Sequence, residues 1–220
     1  MDNLTNQMKT WGGGFGKEYT DRNVRTLKQV AASYAERYGE GVTPTKLKGE
    51  FIGHFSRSMR ILEVGSNVGN QLLWLQTMGF KNLCGIELQS YAVELSKSRT
   101  KNINLITGSA FDIPFKDGFF DLVFTDGVLI HISPSNIVQA LKEIYRCTNR
   151  YIWGFEYYAD EYTEITYRQH HNLMWKANFA KLYLDKFPGL ELLKEKHLKY
   201  INSDNEDSMF LLKKRIVKND

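Results

Sequence analysis

The sequence predicts an α/β fold, a doubly wound, Rossmann-like, mostly parallel seven-stranded sheet with helices on both faces and an N-terminal helical lid. From Arg60 onward, strand patterns alternate with helix patterns, which is typical of a parallel sheet. The strand segments are mostly continuous apolar runs, as expected of strands buried on both faces. A glycine-bearing loop follows the first strand, and ligands of such sheets bind beyond the carboxyl ends of the strands.

The segment before the sheet predicts two helices and a hinge. Residues 20–39 read as one helix closed by Gly39, and residues 42–55 as a second with Thr43 as N-cap and Pro44 at its first position. The glycines of residues 12–16 predict a flexible hinge. We therefore expect a lid over residues 1–56 and a core over residues 57–220, with a substrate-binding insertion around 156–178.

The alternating part of the chain divides into seven strands and four helices. The strands are predicted at 59–65, 82–88, 102–108, 119–127, 150–158, 190–200 and 208–217, the last two as an antiparallel pair. The helices are predicted at 69–79, 90–99, 133–148 and 176–189. The third of them has Ser133 as its expected N-cap, and Pro134 follows. Its apolar face consists of Ile137, Ala140, Leu141, Ile144 and Tyr145.

Composition narrows the function classes. The chain has 220 residues and a net charge of +4 with acids and bases interspersed, so it lacks the dense basic stripe of a nucleic-acid binder. Its first residues, "MDNLTNQMKTW", have no apolar signal segment, and no run of 18 apolar residues predicts a membrane span. We expect a cytoplasmic protein with a small-molecule substrate and no membrane partner; the oligomeric state stays open.

The loop "EVGSNVGN" suggests a nucleoside ligand. Gly65 and Gly69 let the backbone approach a ligand closely, and the next helix N-terminus offers free N–H groups. The spacing G-x-x-x-G differs from the dinucleotide pattern G-x-G-x-x-G. Glu87 closes the second strand, where a carboxylate can accept hydrogen bonds from both ribose hydroxyls. The alternatives are a plain strand-to-helix turn and a surface acid.

Together with "GSAFDIPF" and "FDLVFTDGVLIHI", this loop resembles the class I S-adenosylmethionine-dependent methyltransferases over residues 60–156. The resemblance implies S-adenosyl-L-methionine as cofactor and S-adenosyl-L-homocysteine as product. It places the methionine part over Gly65–Gly69 and beside Asp126, the ribose on Glu87 and the adenine against Ser109. The implied cofactor site is Glu63, Gly65, Ser66, Asn67, Gly69, Asn70, Glu87, Leu88, Ser109, Ala110, Phe111, Asp126 and Gly127, with Tyr19 and Arg22 from the lid.

Two residues of this chain depart from the common methyltransferase pattern. Asn67 replaces a middle glycine, but asparagine tolerates left-handed backbone and its amide could also reach the cofactor. Ser109 stands where an aspartate often contacts the adenine amino group, and it is a weaker acceptor. We therefore expect the turn to be kept and the adenine contact to be weaker.

The flanking segments resemble the methyltransferases associated with pseudaminic acid biosynthesis. The matching motifs are FG-x-x-Y-x-x-RN, G-V-L-I-H-I, E-Y-Y and Y-R-x-H, and a second histidine, His171, departs from the last of them. The resemblance implies a sugar or nucleotide-sugar of bacterial surface-glycan biosynthesis, which aromatic faces and polar groups would bind. The expected substrate residues are Trp11, Phe15, Asn23, Tyr157, Tyr158, Tyr167 and Arg168. Packing roles for the aromatic residues, and a helix-face charge for Arg22, are the alternatives.

A base would help a sugar hydroxyl attack the methyl group, and His131 is the first candidate, with His170 next. An amine acceptor would depend less on a base. The histidines lack metal-ligand spacing, so no metal site is predicted. The alternative functions are an RNA or protein methyltransferase, and a non-catalytic cofactor-binding partner of glycan enzymes.

Overall fold

The computed structural model describes residues 5–215 and confirms the predicted α/β fold. Its strands are β1 Arg60–Val64, β2 Asn82–Glu87, β3 Asn104–Thr107, β4 Phe120–Asp126, β5 Thr148–Tyr157, β6 Thr163–Glu164, β7 Trp175–Lys176, β8 Leu190–Lys199 and β9 Glu206–Lys214. Its helices are α1 Asn6–Gly12, α2 Gly14–Asn23, α3 Leu27–Tyr38, α4 Pro44–Ile52, α5 Asn70–Thr77, α6 Ser90–Arg99, α7 Ile137–Cys147 and α8 Phe179–Lys186, with a 3₁₀ turn at Leu129–His131.

The main sheet has the strand order β3-β2-β1-β4-β5-β9-β8. Strands β1 to β5 run parallel, and β9 is antiparallel to both β5 and β8, which confirms the predicted closing pair. Residues 216–217 of the last predicted strand lie outside the described residues, as do the ends of the two expected domains. From β1 the chain first adds β2 and β3 on one side of the sheet and then, beginning with β4, adds strands on the other side. A doubly wound sheet binds its ligand in the crevice at this change of direction.

Both faces of the sheet are covered, so the core has two layers. Leu122 and Val123 are neighbours in β4, and their side chains join clusters on opposite faces. Val123 lies in the cluster that contains Leu141 of α7, and Leu122 lies in the cluster that contains Phe51 of α4. The continuous apolar strand pattern is therefore explained by burial on two sides.

The single helix predicted over residues 20–39 was wrong, because the chain breaks between α2 and α3. Val24 leaves helical geometry at ψ 85°, and Thr26 begins α3. The Thr26 hydroxyl accepts the Gln29 N–H while the Gln29 side chain accepts the Thr26 N–H. This reciprocal capping box corresponds to the sequence "TLKQ", which is typical of a helix start. The prediction of one long helix from apolar periodicity overlooked it.

The flexible hinge predicted over residues 12–16 was also wrong, because these glycines lie within or between two helices. Gly12 ends α1, Gly13 caps it, and Gly14 begins α2. A Cβ on Gly16 would lie 1.7 Å from the Trp11 carbonyl oxygen. Glycine here allows α1 and α2 to pack closely.

Helix α7 begins later than predicted. Asn136 is its N-cap residue, and Ser133 instead accepts the Asn136 and Ile137 N–H groups through its carbonyl oxygen in the preceding turn. The predicted apolar face is confirmed at Ile137, Ala140, Leu141 and Ile144, which are buried. Thr43 and Pro44 begin α4 as predicted.

The insertion after β5 holds the two-stranded β6–β7 sheet, which is too short for a periodicity signal. Among the described residues, no helix is both long and apolar enough to cross a membrane.

Candidate active site

A cavity of about 460 Å³ lies at the carboxyl ends of β1, β2 and β4, beneath α1 and α2. It contains most of the residues predicted for the cofactor and the substrate. Those that line it are Trp11, Tyr19, Arg22, Asn23, Glu63, Gly65, Ser66, Asn67, Asn70, Glu87, Leu88, Ser109, Ala110, Phe111, Asp126, Gly127, His131, Tyr157, Tyr167 and Arg168.

Four predicted residues are not part of its lining. Gly69 caps α5 behind the loop, and Phe15 packs edge-on against Tyr167 and His170. His170 lies in a separate polar cleft. The Tyr158 hydroxyl donates to Asp160 at 2.6 Å, and its ring packs on His197. The structure thus separates His131 from His170, and Tyr157 and Tyr167 from Tyr158.

Asn67 holds the first loop and also binds the lid. Its backbone is left-handed, with φ 45°, as expected of the residue that replaces a glycine. Its N–H donates to Glu87 at 2.8 Å, and its side-chain amide donates to the Thr20 hydroxyl at 3.0 Å. The amide nitrogen expected to reach the cofactor therefore already has a partner in α2, whereas its Oδ1 is buried without a partner among residues 5–215.

Glu87 is fixed at the end of β2 by backbone donors. Its carboxylate accepts the Asn67 N–H and the Gln89 N–H, each at 2.8 Å. Burial raises the pKa of Glu87, and these N–H donors act in the opposite direction. Both oxygens are thus oriented, and each retains lone-pair capacity for a ligand hydroxyl.

A buried lysine that the sequence reading missed lies behind two carboxylates. Lys48 of α4 is fully buried, with its Nζ 3.5 Å from Asp126 and 4.6 Å from the centre of the Trp153 ring. Burial lowers the pKa of Lys48 and raises the pKa of Asp126 and of Glu63. One buried cation therefore faces two acids at the ends of β1 and β4. A lysine at one of the buried positions of an amphipathic helix was the available signal.

His131 lies at the other end of the cavity, under aromatic rings. The centre of its ring is 4.2 Å from the Trp11 ring and 6.0 Å from the Tyr167 ring. Its Nδ1 is 3.0 Å from the Leu173 carbonyl oxygen, so Nδ1 carries the hydrogen of the neutral form and Nε2 is the acceptor. Burial lowers the pKa of His131 to about 4. The imidazole is neutral at pH 7, and it is a weaker base than expected.

Glu156 is a second residue that the sequence reading missed. It is buried near the end of β5, and its carboxyl accepts the Val128 N–H at 3.0 and 3.2 Å and the Ile130 N–H at 3.4 Å. Burial raises the pKa of Glu156 to about 8. An acid within the apolar run "RYIWGFEYY" was the signal for a buried carboxyl.

Helices α1 and α2 are joined to the core by amide side chains. Gln89 Nε2 lies 3.4, 3.0 and 2.9 Å from the carbonyl oxygens of Trp11, Gly12 and Gly13. The Asn70 amide donates to the Asn23 carbonyl at 2.8 Å. Helices α1 and α2 therefore close the cavity from outside.

Known methyltransferases are similar to this chain in sequence. The methyltransferase domain family matches residues 62–150. Phosphoethanolamine N-methyltransferase of Plasmodium falciparum is 22% identical over 223 residues, covering 90% of this chain and 82% of that protein. The chain is an S-adenosylmethionine-dependent methyltransferase enzyme.

Solved structures share the fold of this methyltransferase. The Burkholderia thailandensis 1,6-didemethyltoxoflavin-N1-methyltransferase, solved with its substrate and S-adenosylhomocysteine, gives a TM-score of 0.68 at 12% identity, covering 98% of this chain and 92% of that one. The cyclase SpnF gives 0.68 at 14% identity, with 92% and 95% coverage. Because a cyclase shares the fold, fold similarity alone does not identify the acceptor.

The cofactor of the methyltransferase is S-adenosyl-L-methionine, and the cavity suits it chemically. Glu63 Oε2 and Arg22 Nη2 are buried without hydrogen-bond partners among the described residues, and both residues line the cavity. These atoms match an amino group and a carboxylate. Gly127 lines the cavity at φ 67°, and a Cβ there would meet nothing within 4 Å, so a larger side chain would occupy ligand space. No cluster able to hold a metal ion occurs within residues 5–215.

Proposed function

We propose that the methyltransferase methylates a hydroxyl or amine of a small polar acceptor, a sugar or nucleotide-sugar of bacterial surface-glycan biosynthesis of the nonulosonic acid type. The observation that carries this proposal is the end of the cavity around His131, where Trp11, Tyr19 and Tyr167 supply aromatic faces. Arg168 adds a cation suited to a carboxylate or phosphate. Aromatic faces with convergent polar groups are typical of sugar sites. The motifs of the flanking segments support the glycan assignment, and the cytoplasm stays the predicted location.

We propose that the cofactor lies along the loop end of the cavity. Glu87 would accept the ribose hydroxyls, and Ser109, Ala110 and Phe111 would face the adenine. The methionine part would lie over Gly65, Ser66 and Asn67, beside Asp126 and Gly127, and Glu63 and Arg22 would bind its amino and carboxylate groups. Gly69, Asn70 and Leu88 would shape the loops, and the lid would contribute Tyr19. The orphaned buried atoms of Glu63 and Arg22 support this arrangement.

When bound, the cofactor supplies a methyl group activated by its sulfonium, so the protein mainly aligns the acceptor and excludes water. Helices α1 and α2 cover the cavity and would exclude water. His131 is neutral and would accept a hydrogen bond from the acceptor at Nε2. With a pKa of about 4 it would orient an acceptor hydroxyl better than it would remove its proton.

The test is methyl transfer from labelled cofactor to nucleotide-sugars and nonulosonic acids. Two matched pairs of variants test whether the methyl transfer takes place in this cavity. H131N and Y167A should reduce transfer at least tenfold, whereas H170N and Y158A should stay within about twofold, since those side chains lie outside the cavity. Transfer to none of these acceptors, or equal losses within each pair, would contradict the proposal.

A phosphorylated small amine is the second candidate acceptor, favoured by the similarity to the Plasmodium falciparum enzyme along 90% of this chain. Phosphoethanolamine belongs in the same screen, and turnover of it alone would replace the sugar proposal. An RNA or protein acceptor would require binding that weakens steeply with salt for RNA, or labelled protein product. A protein that binds the cofactor but never turns over would match the non-catalytic alternative.

A further inference from the structure

We propose that Glu156 is a positioning residue for methyl transfer. Its buried carboxyl holds the turn at residues 127–131, which places His131 beneath Trp11. The inference rests on the methyltransferase activity and on the place of His131 in the proposed acceptor site. It is independent of which acceptor is used.

The turn has few other supports on its inner side. Gly127 donates its N–H to the Phe155 carbonyl oxygen at 2.8 Å, which is the last β4–β5 link. Beyond it, the Val128 and Ile130 N–H groups point to the Glu156 carboxyl. Without this acceptor the Ile130 N–H would be buried and unpaired and the part-buried Val128 N–H would lose its partner, which would make this turn unfavourable. The carboxyl is therefore what lets the chain turn away from the sheet here.

The same turn contacts both halves of the cavity. A Cβ on Gly65 would lie 2.6 Å from a Val128 methyl carbon, so the Val128 side chain packs against the first loop. Three residues later, the His131 ring packs at an interplanar angle of 51° against Trp11, and its Nδ1 donates to the Leu173 carbonyl oxygen. A shift of the turn would move His131 and release the loop packing together. Geometry changes of about 1 Å at a reacting site can reduce rates by about 10²-fold.

The geometry requires a side chain at position 156 that is long enough to place an oxygen near both N–H groups; it does not require a charge. One oxygen, Oε2, accepts from both Val128 at 3.0 Å and Ile130 at 3.4 Å. A glutamine oxygen in the same place can accept both N–H groups. An aspartate keeps the carboxyl group but is one methylene shorter, so it cannot reach them without moving β5. Ionisable groups near the carboxyl are Asp126, Tyr162 and Tyr183, and none of them replaces an acceptor for these N–H groups.

The experiment compares E156Q and E156D in the full chain. We expect E156Q to keep kcat within about threefold, and E156D to lose about 10²-fold in kcat. The control is D121A, because Asp121 also accepts a backbone N–H, that of Arg60 at 2.9 Å, but at the opposite end of the sheet. It should lower the melting temperature without lowering kcat.

A second measurement on these variants needs no acceptor. NMR titration of the His131 imidazole should give a pKa near 4 in the wild type and in E156Q, and a value at least one pH unit higher in E156D. Equal kcat losses in E156Q and E156D, a greater loss in E156Q, or an unmoved His131 titration in E156D would overturn the proposal. This titration does not require methyl transfer. It therefore tests the role of Glu156 even if the screen identifies no acceptor.

Discussion

Individual side chains in this methyltransferase have more than one partner, and sequence patterns reveal only some of them. The glycine spacing and the acid after β2 were sufficient to predict that Gly65, Asn67 and Glu87 meet at one cavity. The partner of Asn67 in the lid could not be predicted, because Thr20 is 47 residues away and carries no motif. Lys48 and Glu156 were missed because a charged residue within an apolar pattern indicates burial, but the pattern does not show which groups it would face.

Glu87 offers the first test at this scale. We expect E87Q to weaken binding of S-adenosylmethionine by about 1–3 kcal/mol, because a charged acceptor for the ribose hydroxyls becomes a neutral amide. Calorimetric titration measures it. Glu94 is exposed on α6 and pairs with Lys97, so E94Q is the matched control and should bind like the wild type. Equal affinities of E87Q and the wild type would exclude Glu87 from the ribose site.

His131 gives a pH dependence of stability. Its folded pKa of about 4 lies below the unfolded value of 6.5, so the folded state binds fewer protons between these values. Stability is therefore fully present above pH 6.5 and is lost as the pH falls towards 4, by about 3 kcal/mol at about 1.4 kcal/mol for each pH unit.

The measurement is denaturant unfolding of the wild type and H131N at pH 7 and pH 4.5. The variant should lose less free energy of unfolding over this interval than the wild type. H170N changes an exposed histidine and should follow the wild type. Identical acid losses in all three proteins would show that His131 is not held in its neutral form.

At the scale of elements, α1 and α2 are joined to the core by a small set of amide contacts. Gln89 lies two residues after the end of β2. Its side chain donates to the Gly13 carbonyl oxygen at the end of α1, and its backbone N–H donates to the Glu87 carboxylate. Gln89, which anchors α1, is thus two positions along the chain from Glu87, the residue predicted to bind the ribose. We therefore expect the opening of α1 to be coupled to the environment of Glu87 through this residue.

We expect Q89A to raise the dissociation rate of the cofactor by roughly two- to tenfold, the range expected from losing a hydrogen bond worth about 0.5–1.5 kcal/mol. Stopped-flow displacement of S-adenosylhomocysteine measures this rate. Gln76 donates to the Lys101 carbonyl at 2.8 Å on an exposed surface, so Q76A is a matched control. Equal rates in Q89A and Q76A would show that the lid does not limit release.

At the scale of the whole molecule, the sequence predicted the sheet, its doubly wound arrangement and its antiparallel edge. The long apolar strands and the amphipathic face of α7 could be predicted because buried positions are apolar, and the spacing of apolar residues can be recognised in the sequence. Predictions of helix ends were less successful, because they depend on single caps such as Thr26 and Asn136. The separation of His131 from His170 could not be predicted, since the insertion around β6 and β7 lacks a strong period.

The buried acids behind the cavity also have a consequence for proton exchange with solvent. Burial raises the pKa of Glu63, Glu87 and Asp126, so the cofactor-free protein holds protons on these groups more readily than free carboxyls do. A cation bound beside them favours their ionised forms, so binding of S-adenosylmethionine should release protons and tighten as the pH rises. Calorimetry in two buffers of different ionisation enthalpy counts the protons released. S-adenosylhomocysteine lacks the sulfonium charge and should release fewer, so the enzyme would favour cofactor over product increasingly in alkaline solution.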